Sequence, residues 1–146
     1  MLNPTEFPDS TAYPFWIDEN IRNADTDQFQ HVNNAAIASY CEAGRMALFS
    51  EPTLREAIAG LNVVVVKLTI LFERELFYPG AVQVGTCVTA IGNTSFQVSQ
   101  GLYGSQGRFA TSEATCVMME RARHKPIRVP DAVRTLLTPH ARINQL

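Results

Sequence analysis

Hydrophobic and polar positions follow two different periods along this chain, a helical one around residue 40 and an alternating one after residue 60. From Ala35 to Glu51 apolar side chains recur at helical spacing over about four turns. Asn33 or Asn34, just before this segment, is a suitable N-cap because a short side-chain carbonyl accepts the first free backbone amides of a helix. The pattern predicts one long helix in the first third of the chain.

Strand-like runs lie on both sides of this helix. Residues 14–23 alternate imperfectly and predict a first strand. The run VVVVKLTILF, residues 63–72, is apolar on both faces and predicts a strand at the centre of a sheet. Alternating runs follow at 81–91, 94–103 and 108–122, joined by short turns typical of antiparallel hairpins. The predicted fold class is α+β, with the helix packed on one face of an antiparallel sheet.

Composition favours a single domain spanning residues 1–146. The chain is 46% hydrophobic and 18% charged, and a domain of this length buries roughly two-thirds of its unfolded surface. Residues 1–14 contain three prolines and predict an irregular N-terminal arm. The N-terminus has neither the basic start nor the apolar run of a signal peptide, and no stretch approaches the roughly 20 apolar residues of a membrane span. We expect a cytoplasmic protein without a membrane span.

Charge and cysteine content narrow the possible partners. Three cysteines without a close pair predict reduced, buried thiols. Residues 1–120 carry 6 basic and 13 acidic side chains, whereas residues 121–146 carry 6 basic and 1 acidic. The basic end could attract a phosphorylated ligand, although a solvated strand end is the commoner explanation. Nucleic acid is not expected, because the domain as a whole is not basic.

The candidate chemistry lies just before the predicted helix, where ionisable and amide side chains are denser than capping requires. They are Asp25, Asp27, His31, Asn33 and Asn34. Backbone amides at a helix N-terminus can polarise a carbonyl oxygen, while a nearby carboxylate acts as a nucleophile or as a base on water. A simpler interpretation is that these side chains cap turns. Spacing alone does not decide which aspartate faces a site.

The run DTDQFQHVNN, residues 25–34, followed by YCEAGR, residues 40–45, resembles the D-x-D-x-x-G-H-V-N-N…E-x-x-R signature of hotdog-fold acyl-CoA thioesterases of the 4-hydroxybenzoyl-CoA thioesterase-like family. The resemblance covers roughly residues 15 to 137. It implies an antiparallel sheet wrapped around one long central helix. Further segments fall in the family's order: YPG at 78–80, IGNTS at 91–95 and KPIRVP at 125–130.

This resemblance assigns roles to the cluster. Asp27 matches the catalytic carboxylate, which attacks the thioester carbonyl or activates water. The backbone amide at or near Asn34 would polarise the thioester oxygen, and His31 and Asn33 match positions that line the site. We expect His31 to orient water or substrate. A metal is not expected, because no second ligand at metal spacing accompanies His31.

Two residues depart from the family pattern. Gln30 stands where the family usually has Gly, and its Cβ excludes backbone conformations that Gly can adopt. Ile37 stands where Tyr is common, which we expect to change only the packing of the pocket. Catalytic efficiency and substrate are the properties that Gln30 puts in question.

Coenzyme A binding is implied at the turn containing Thr94 and Ser95 and at the basic residues Arg121, Arg123 and Lys125. We expect the core and the acyl-pocket wall to contain the four valines Val63 to Val66 together with Phe72. Glu42 is a second-choice catalytic carboxylate, although an ion pair with Arg45 three residues later is its default explanation.

The sequence therefore predicts an enzyme that hydrolyses an acyl-CoA or acyl-carrier-protein thioester to the free acid and thiol, without a cofactor. A homodimer or homotetramer is expected, because a lone hotdog domain leaves sheet edges exposed. One alternative is a non-catalytic module that binds an acyl group or CoA. A hotdog dehydratase or hydratase is less favoured, because Asp27 and His31 are one residue closer than in the D-x-x-x-x-H spacing of hydratases. The identity of the acyl group stays open.

Overall fold

A computed structural model describes residues 10–140, in which an antiparallel sheet curls around one long helix. The strands in this range are β1 (Phe15–Asn20), β2 (Leu61–Phe72), β3 (Ala81–Ile91), β4 (Ser95–Gly104), β5 (Gly107–Glu120) and β6 (Lys125–Pro126). The helices are α1 (Asn34–Phe49), α2 (Pro52–Ala57) and α3 (Asp131–Leu137). The strand order is β1-β3-β4-β5-β2, with β6 also beside β5. This arrangement confirms the predicted α+β hotdog fold.

Helix α1 begins at its predicted cap and runs across the concave face of the sheet. The Asn33 side chain accepts a hydrogen bond from the Ala36 amide at 2.7 Å, which confirms Asn33 as the N-cap. One face of α1 is buried, and it packs mainly on β3. Gly44 permits a close approach, because a Cβ there would lie 2.6 Å from Gln100 Nε2. Pro52 occupies the first position of the next helix, α2.

A layer of polar groups divides the core under α1 into two apolar clusters. Gln100 Nε2 donates to the Cys41 carbonyl at 3.0 Å and to Thr86 Oγ1 at 3.1 Å. Arg45 lies in this layer, 4% exposed, with its Nη1 atom 3.4 Å from Gln100 Oε1. The expected ion pair between Glu42 and Arg45 is therefore wrong for this structure. Arg45 turns toward the sheet, whereas Glu42 lies on the exposed face of the helix.

The position of β2 corrects a second prediction. This strand was expected at the centre of the sheet but lies at its edge, paired only with β5 among the described strands. Val63 and Val65 pack partly against the core, whereas Val64, Val66 and Phe72 are exposed and belong to no core. A strand that is apolar on both faces can also be an edge that another chain covers.

Part of the predicted irregular arm is ordered against the convex face of the sheet. Residues 1–9 lie outside the described residues, but Ser10–Ala12 form a 3-10 turn and Tyr13 is buried. Tyr13 contacts Trp16 and Tyr103 edge-on, above Gly85 and Gly101 of the sheet. The absence of side chains at these two glycines gives the aromatic rings room to lie close to the strands.

The three cysteines are free and buried, as predicted. Burial raises the pKa of the Cys116 thiol to about 11, so its reactive thiolate is scarce at neutral pH. In residues 10–140, no helix is both long and apolar enough to cross a membrane.

We expect Gly101→Ala to lower the free energy of unfolding by about 1–3 kcal/mol, because a Cβ there would lie 2.8 Å from the Tyr13 ring and 2.9 Å from the Tyr103 ring. Urea unfolding measures the change. The same substitution in a Tyr13→Ala background is the control, because one of the two clashing rings is then absent. An equal loss in both backgrounds would contradict this explanation.

Candidate active site

A short loop presents the ionisable cluster at the start of α1. Thr26 and Val32 form an isolated antiparallel bridge, and the Asp27 amide donates to the His31 carbonyl at 2.9 Å. The Gln30 amide closes the loop on the Asp27 carbonyl at 3.0 Å. Backbone hydrogen bonds thus fix the loop that carries both Asp27 and His31.

Asp25 anchors this loop from inside the protein. Its carboxylate accepts hydrogen bonds from Tyr40 Oη at 2.7 Å and from the backbone and guanidinium of Arg22 at 2.9–3.2 Å. Burial raises the pKa of Asp25, but the hydrogen bonds from Tyr40 and Arg22 outweigh burial and hold the pKa below its usual range. Burial and the neighbouring carboxylate raise the pKa of Tyr40. Asp25 is a structural anion rather than a group available to substrate.

Asp27 points the other way and is exposed. Its Oδ1 atom accepts hydrogen bonds from the Phe29 amide at 2.8 Å and the His31 amide at 3.2 Å. Among the described residues, Oδ2 has no hydrogen-bond partner. Asp27 is therefore held in one orientation by one oxygen while the other oxygen stays available for chemistry.

A cavity of about 280 Å³ lies between Asp27 and the end of β2. The amides of Asn34 and Ala35, in the first turn of α1, have no acceptor in the described part of the chain, because the cap Asn33 takes those of Ala36 and Ile37. The cavity thus combines a free carboxylate oxygen with the N-terminus of a helix. It is lined by Asp27, His31, Val32, Asn34, Ile37, Phe72, Glu73, Arg74, Glu75 and Leu76.

His31 is held in this cavity by partners that the sequence did not reveal. Its Nε2 atom lies 3.5 Å from Glu75 Oε1, and its ring meets Phe77 edge-on at 5.2 Å between centroids. The backbones of His31 and Phe77 also form a β-bridge. Glu75 is the functional candidate that sequence reasoning missed. The charged triplet ERE, residues 73–75, directly after an apolar strand was the available signal.

The two charged residues that precede Glu75 already have protein partners. Glu73 forms an ion pair with Arg108 at 2.9 Å, and Arg74 donates to the Gln106 carbonyl at 2.7 Å. The Leu76 carbonyl accepts a hydrogen bond from the Val32 amide at 2.8 Å. These contacts fix residues 73–76 as one wall of the cavity.

The predicted CoA-binding residues lie at the opposite end of the β2–β5 ladder. Leu61 is paired with Glu120 there, whereas Phe72 at the cavity is paired with Ala110, so the two ends are about 35 Å apart along the strand. Within one chain they do not meet the Asp27 cavity. This group comprises Thr94, Ser95, Arg121, Arg123 and Lys125.

Some of these basic side chains already have protein partners. Arg121 donates to Asn62 Oδ1 at 3.1 Å and to the Leu61 carbonyl at 3.2 Å. Arg123 lies 3.8 Å from Glu120, and Lys125 is exposed in β6. Glu42, the second-choice carboxylate, lies eight residues along α1 from Asn34, about 12 Å along the axis, and does not line the cavity.

The two departures from the family pattern lie beside the cavity. Gln30 has a φ of 68°, in the left-handed region that favours glycine. Ile37 is buried, lines the cavity and packs in the core. Within residues 10–140, no group of three or more His, Cys, Asp or Glu side chains is arranged to hold a metal ion.

Comparison with known proteins gives the family. The sequence pattern of the thioesterase-like superfamily matches residues 21–137, which include the whole loop, α1 and all the strands that follow. The chain belongs to this superfamily. A search of curated proteins finds no match.

Solved structures of similar fold include proteins named as thioesterases from several bacteria. One named as a predicted thioesterase from Bacillus stearothermophilus has a TM-score of 0.80 at 24% identity, over 87% of this chain and 96% of that one. A thioesterase from Thermus thermophilus, complexed with coenzyme A and Zn, has a TM-score of 0.76 at 24% identity, over 86% and 93%. A DHNA-CoA thioesterase from Staphylococcus aureus has a TM-score of 0.69 at 19% identity, over 78% and 79%. At these identities the likeness establishes the shared fold.

We expect Gln30→Gly to raise the free energy of unfolding of this superfamily member by up to about 1 kcal/mol, because glycine adopts a positive φ without the steric cost of a Cβ. Urea denaturation of the two proteins measures the gain. Gln30→Ala is the matched control, since it shortens the side chain but keeps the Cβ. Equal stabilisation by both substitutions would contradict this explanation.

We expect Tyr40→Phe to lower the stability by about 2 kcal/mol at neutral pH, because it removes a hydrogen bond to a buried carboxylate. The pKa of Asp25 is lowered in the folded state from an ordinary value of 3.8, so its stabilising contribution is present above that value and is lost as the pH falls through the folded-state pKa. Without the Tyr40 hydroxyl this pKa rises, and the acid-dependent loss becomes smaller. Denaturation at neutral and acidic pH tests both effects, and identical pH profiles for the two proteins would contradict the assignment.

Proposed function

We propose that this protein hydrolyses the thioester bond of an acyl-CoA, with Asp27 as the reacting carboxylate. The observation that carries the proposal is the orientation of Asp27, which lines a cavity at the N-terminus of α1 and whose Oδ1 atom is held by two backbone amides while Oδ2 has no partner among the described residues. Membership of the thioesterase-like superfamily supports the same reaction class.

The geometry suggests how the bond is broken. The thioester carbonyl oxygen points at the amide of Asn34, where the helix N-terminus stabilises the negative charge that develops on that oxygen. Asp27 either attacks the carbonyl carbon, giving an anhydride that water hydrolyses, or removes a proton from the attacking water. In both routes the carbon–sulfur bond breaks and the acid is released; the leaving thiolate takes a proton from Asp27 in the general-base route and from water in the anhydride route. His31, supported by Glu75 and Phe77, orients the water or the substrate.

The thiol carrier is CoA in this proposal, with an acyl-carrier protein as the alternative donor. The Thermus thermophilus thioesterase of similar fold is complexed with coenzyme A, which supports CoA. No cofactor or metal takes part, because a carboxylate and a helix N-terminus are sufficient for the chemistry. The location remains the cytoplasmic one predicted from the sequence.

A second copy of the chain completes the site in this proposal. Strand β2 is a long edge with exposed apolar side chains, Val66 at 60% and Leu71 at 63% among them, and such an edge is open to pairing with another chain. Antiparallel pairing of β2 with its own copy would place the Leu61 end of one strand beside the Phe72 end of the other. Arg121, which is attached to Leu61 and Asn62, would then lie beside the cavity of the second copy.

This dimer removes the separation between the two predicted groups of site residues. Within one chain the two groups are about 35 Å apart, which is the length of β2. Antiparallel pairing of two copies places the basic end of one β2 beside the cavity end of the other. Asp27 of one copy and the basic end of the other form one site, with the cations placed for the phosphates of CoA. A tetramer would arise from two such dimers.

We expect Asp27→Asn to lower kcat/KM for acyl-CoA hydrolysis about a hundredfold or more, because the substitution keeps the shape of the side chain but removes its basicity and nucleophilicity. Release of free thiol from a panel of aliphatic and aromatic acyl-CoAs measures the change.

Glu42→Gln is the matched control, which should retain activity because Glu42 does not line the cavity. Activity that survives in Asp27→Asn and is lost in Glu42→Gln would transfer the catalytic role to Glu42. Saturable CoA binding by the native protein without any thiol release would instead favour a non-catalytic binding module.

We expect Val66→Lys to convert the dimer to monomers and to reduce thiol release, because a charge on an exposed strand edge opposes pairing with another strand. Size-exclusion chromatography with light scattering gives the oligomeric state. Asn20→Lys, a change at an exposed position on β1 at the opposite edge of the sheet, should leave both properties unaltered. A native protein that is monomeric and fully active would overturn the shared-site arrangement.

A further inference from the structure

A second cavity lies directly behind the first. It measures about 380 Å³ and is lined by Arg74, Glu75, Leu76, Phe77, Pro79, Phe109 and the hairpin residues 104–107. Of its lining residues only Arg74, Glu75 and Leu76 also line the Asp27 cavity. These three residues therefore form the wall between the two cavities.

Leu76 is the part of this wall that closes the passage toward the interior. Arg74 and Glu75 are exposed, whereas Leu76 is partly buried and packs against the core cluster under α1. A Cβ built on Gly104 would lie 3.2 Å from Leu76 Cδ1 and 3.7 Å from Phe109 Cδ1. The Leu76 side chain thus spans from the first cavity to the floor of the second.

The backbone holds this side chain in place. The Leu76 carbonyl accepts a hydrogen bond at 2.8 Å from the amide of Val32, which belongs to the same loop as Asp27 and His31. The following residue, Phe77, forms a β-bridge with His31. A substitution of the Leu76 side chain leaves these backbone hydrogen bonds available.

The sizes and linings of the two cavities indicate which acyl groups each can accommodate. Sites that enclose small-molecule ligands measure about 300–1,000 Å³, and the Asp27 cavity at about 280 Å³ falls just below that range. The second cavity is lined by both polar and apolar residues, and its apolar part, formed by Leu76, Phe77, Pro79 and Phe109, suits the methylene groups of a longer chain. With Leu76 between the two cavities, the space beside Asp27 within one chain is that of the smaller cavity, which suits a short acyl group.

We propose that Leu76 ends the acyl pocket, restricting the enzyme to short acyl groups, and that its removal joins the two cavities and admits longer aliphatic chains. This proposal rests on the thioesterase activity proposed above and adds its substrate class. Leu76 acts as a specificity-determining residue and takes no part in the chemical step.

The test is thiol release by native protein and Leu76→Ala with acetyl-, butanoyl-, hexanoyl-, octanoyl- and decanoyl-CoA. Native kcat/KM should fall beyond hexanoyl-CoA. In Leu76→Ala, kcat/KM for octanoyl- and decanoyl-CoA should rise about tenfold or more, the usual effect of accommodating or excluding methylene groups in an apolar pocket, while that for butanoyl-CoA stays within about threefold.

Three control variants distinguish an effect of Leu76 on chain-length preference from a general loss of core packing. Leu76→Met keeps the volume and should keep the native length profile. Leu136→Ala removes an equally large, partly buried leucine from the other core cluster and should lower stability without changing the profile. If Leu76→Ala does not fold, Leu76→Val, which removes one carbon, should show a smaller shift in the same direction.

Three results would overturn the proposal: a native preference for decanoyl-CoA, an unchanged profile in Leu76→Ala, or a KM change of equal size for every chain length. The last would place the pantetheine arm, rather than the acyl group, at Leu76. A native protein that hydrolyses aromatic acyl-CoAs but none of these aliphatic ones would overturn this proposal alone, whereas one that hydrolyses neither kind would contradict the proposed thioesterase function as well.

Discussion

The site depends on one buried anion, the carboxylate of Asp25. Its side chain accepts hydrogen bonds from Tyr40 on α1 and from Arg22 before the loop, and its backbone carbonyl accepts the Asn33 amide at 2.8 Å. Asp25 therefore links the loop to α1 through Tyr40, and it also positions the N-cap residue Asn33. Because Asn33 then takes the amides of Ala36 and Ile37, the amides of Asn34 and Ala35 have no acceptor in the described part of the chain, and Asn34 lines the cavity.

The same anchor explains why two aspartates two residues apart have different roles. Asp25 is turned inward, where every oxygen has a donor, and Asp27 is turned outward, where backbone amides hold only one oxygen. A buried charge without donors would be costly, so the partners Tyr40 and Arg22 determine which carboxylate can be buried. The sequence shows both aspartates, but Tyr40 is 15 residues from Asp25, and this pairing exists only in the folded chain.

Features that depend on local spacing were predictable, and features that depend on distant partners were not. Helix α1, its cap at Asn33 and the strands β3 to β5 follow from periodicity and turn residues close in sequence. The edge position of β2 did not follow, because a run that is apolar on both faces has the same pattern whether its own domain or another chain covers it. Glu75 was missed because its contact with His31 crosses 44 positions along the chain, and nothing in the sequence brings those residues together.

One segment, residues 73–77, links the chemistry of the site to the shape of its pocket. The side chain of Glu75 and the ring of Phe77 contact His31, while Leu76 between them separates the two cavities. Side chains alternate along an extended segment, so adjacent residues can serve opposite sides of one wall. The backbone of this segment is held by the Val32 amide, whereas the Leu76 side chain makes only apolar contacts. The orientation of the loop that carries Asp27 and His31 is thus set by backbone hydrogen bonds, whereas the separation of the two cavities depends on a side chain with apolar contacts.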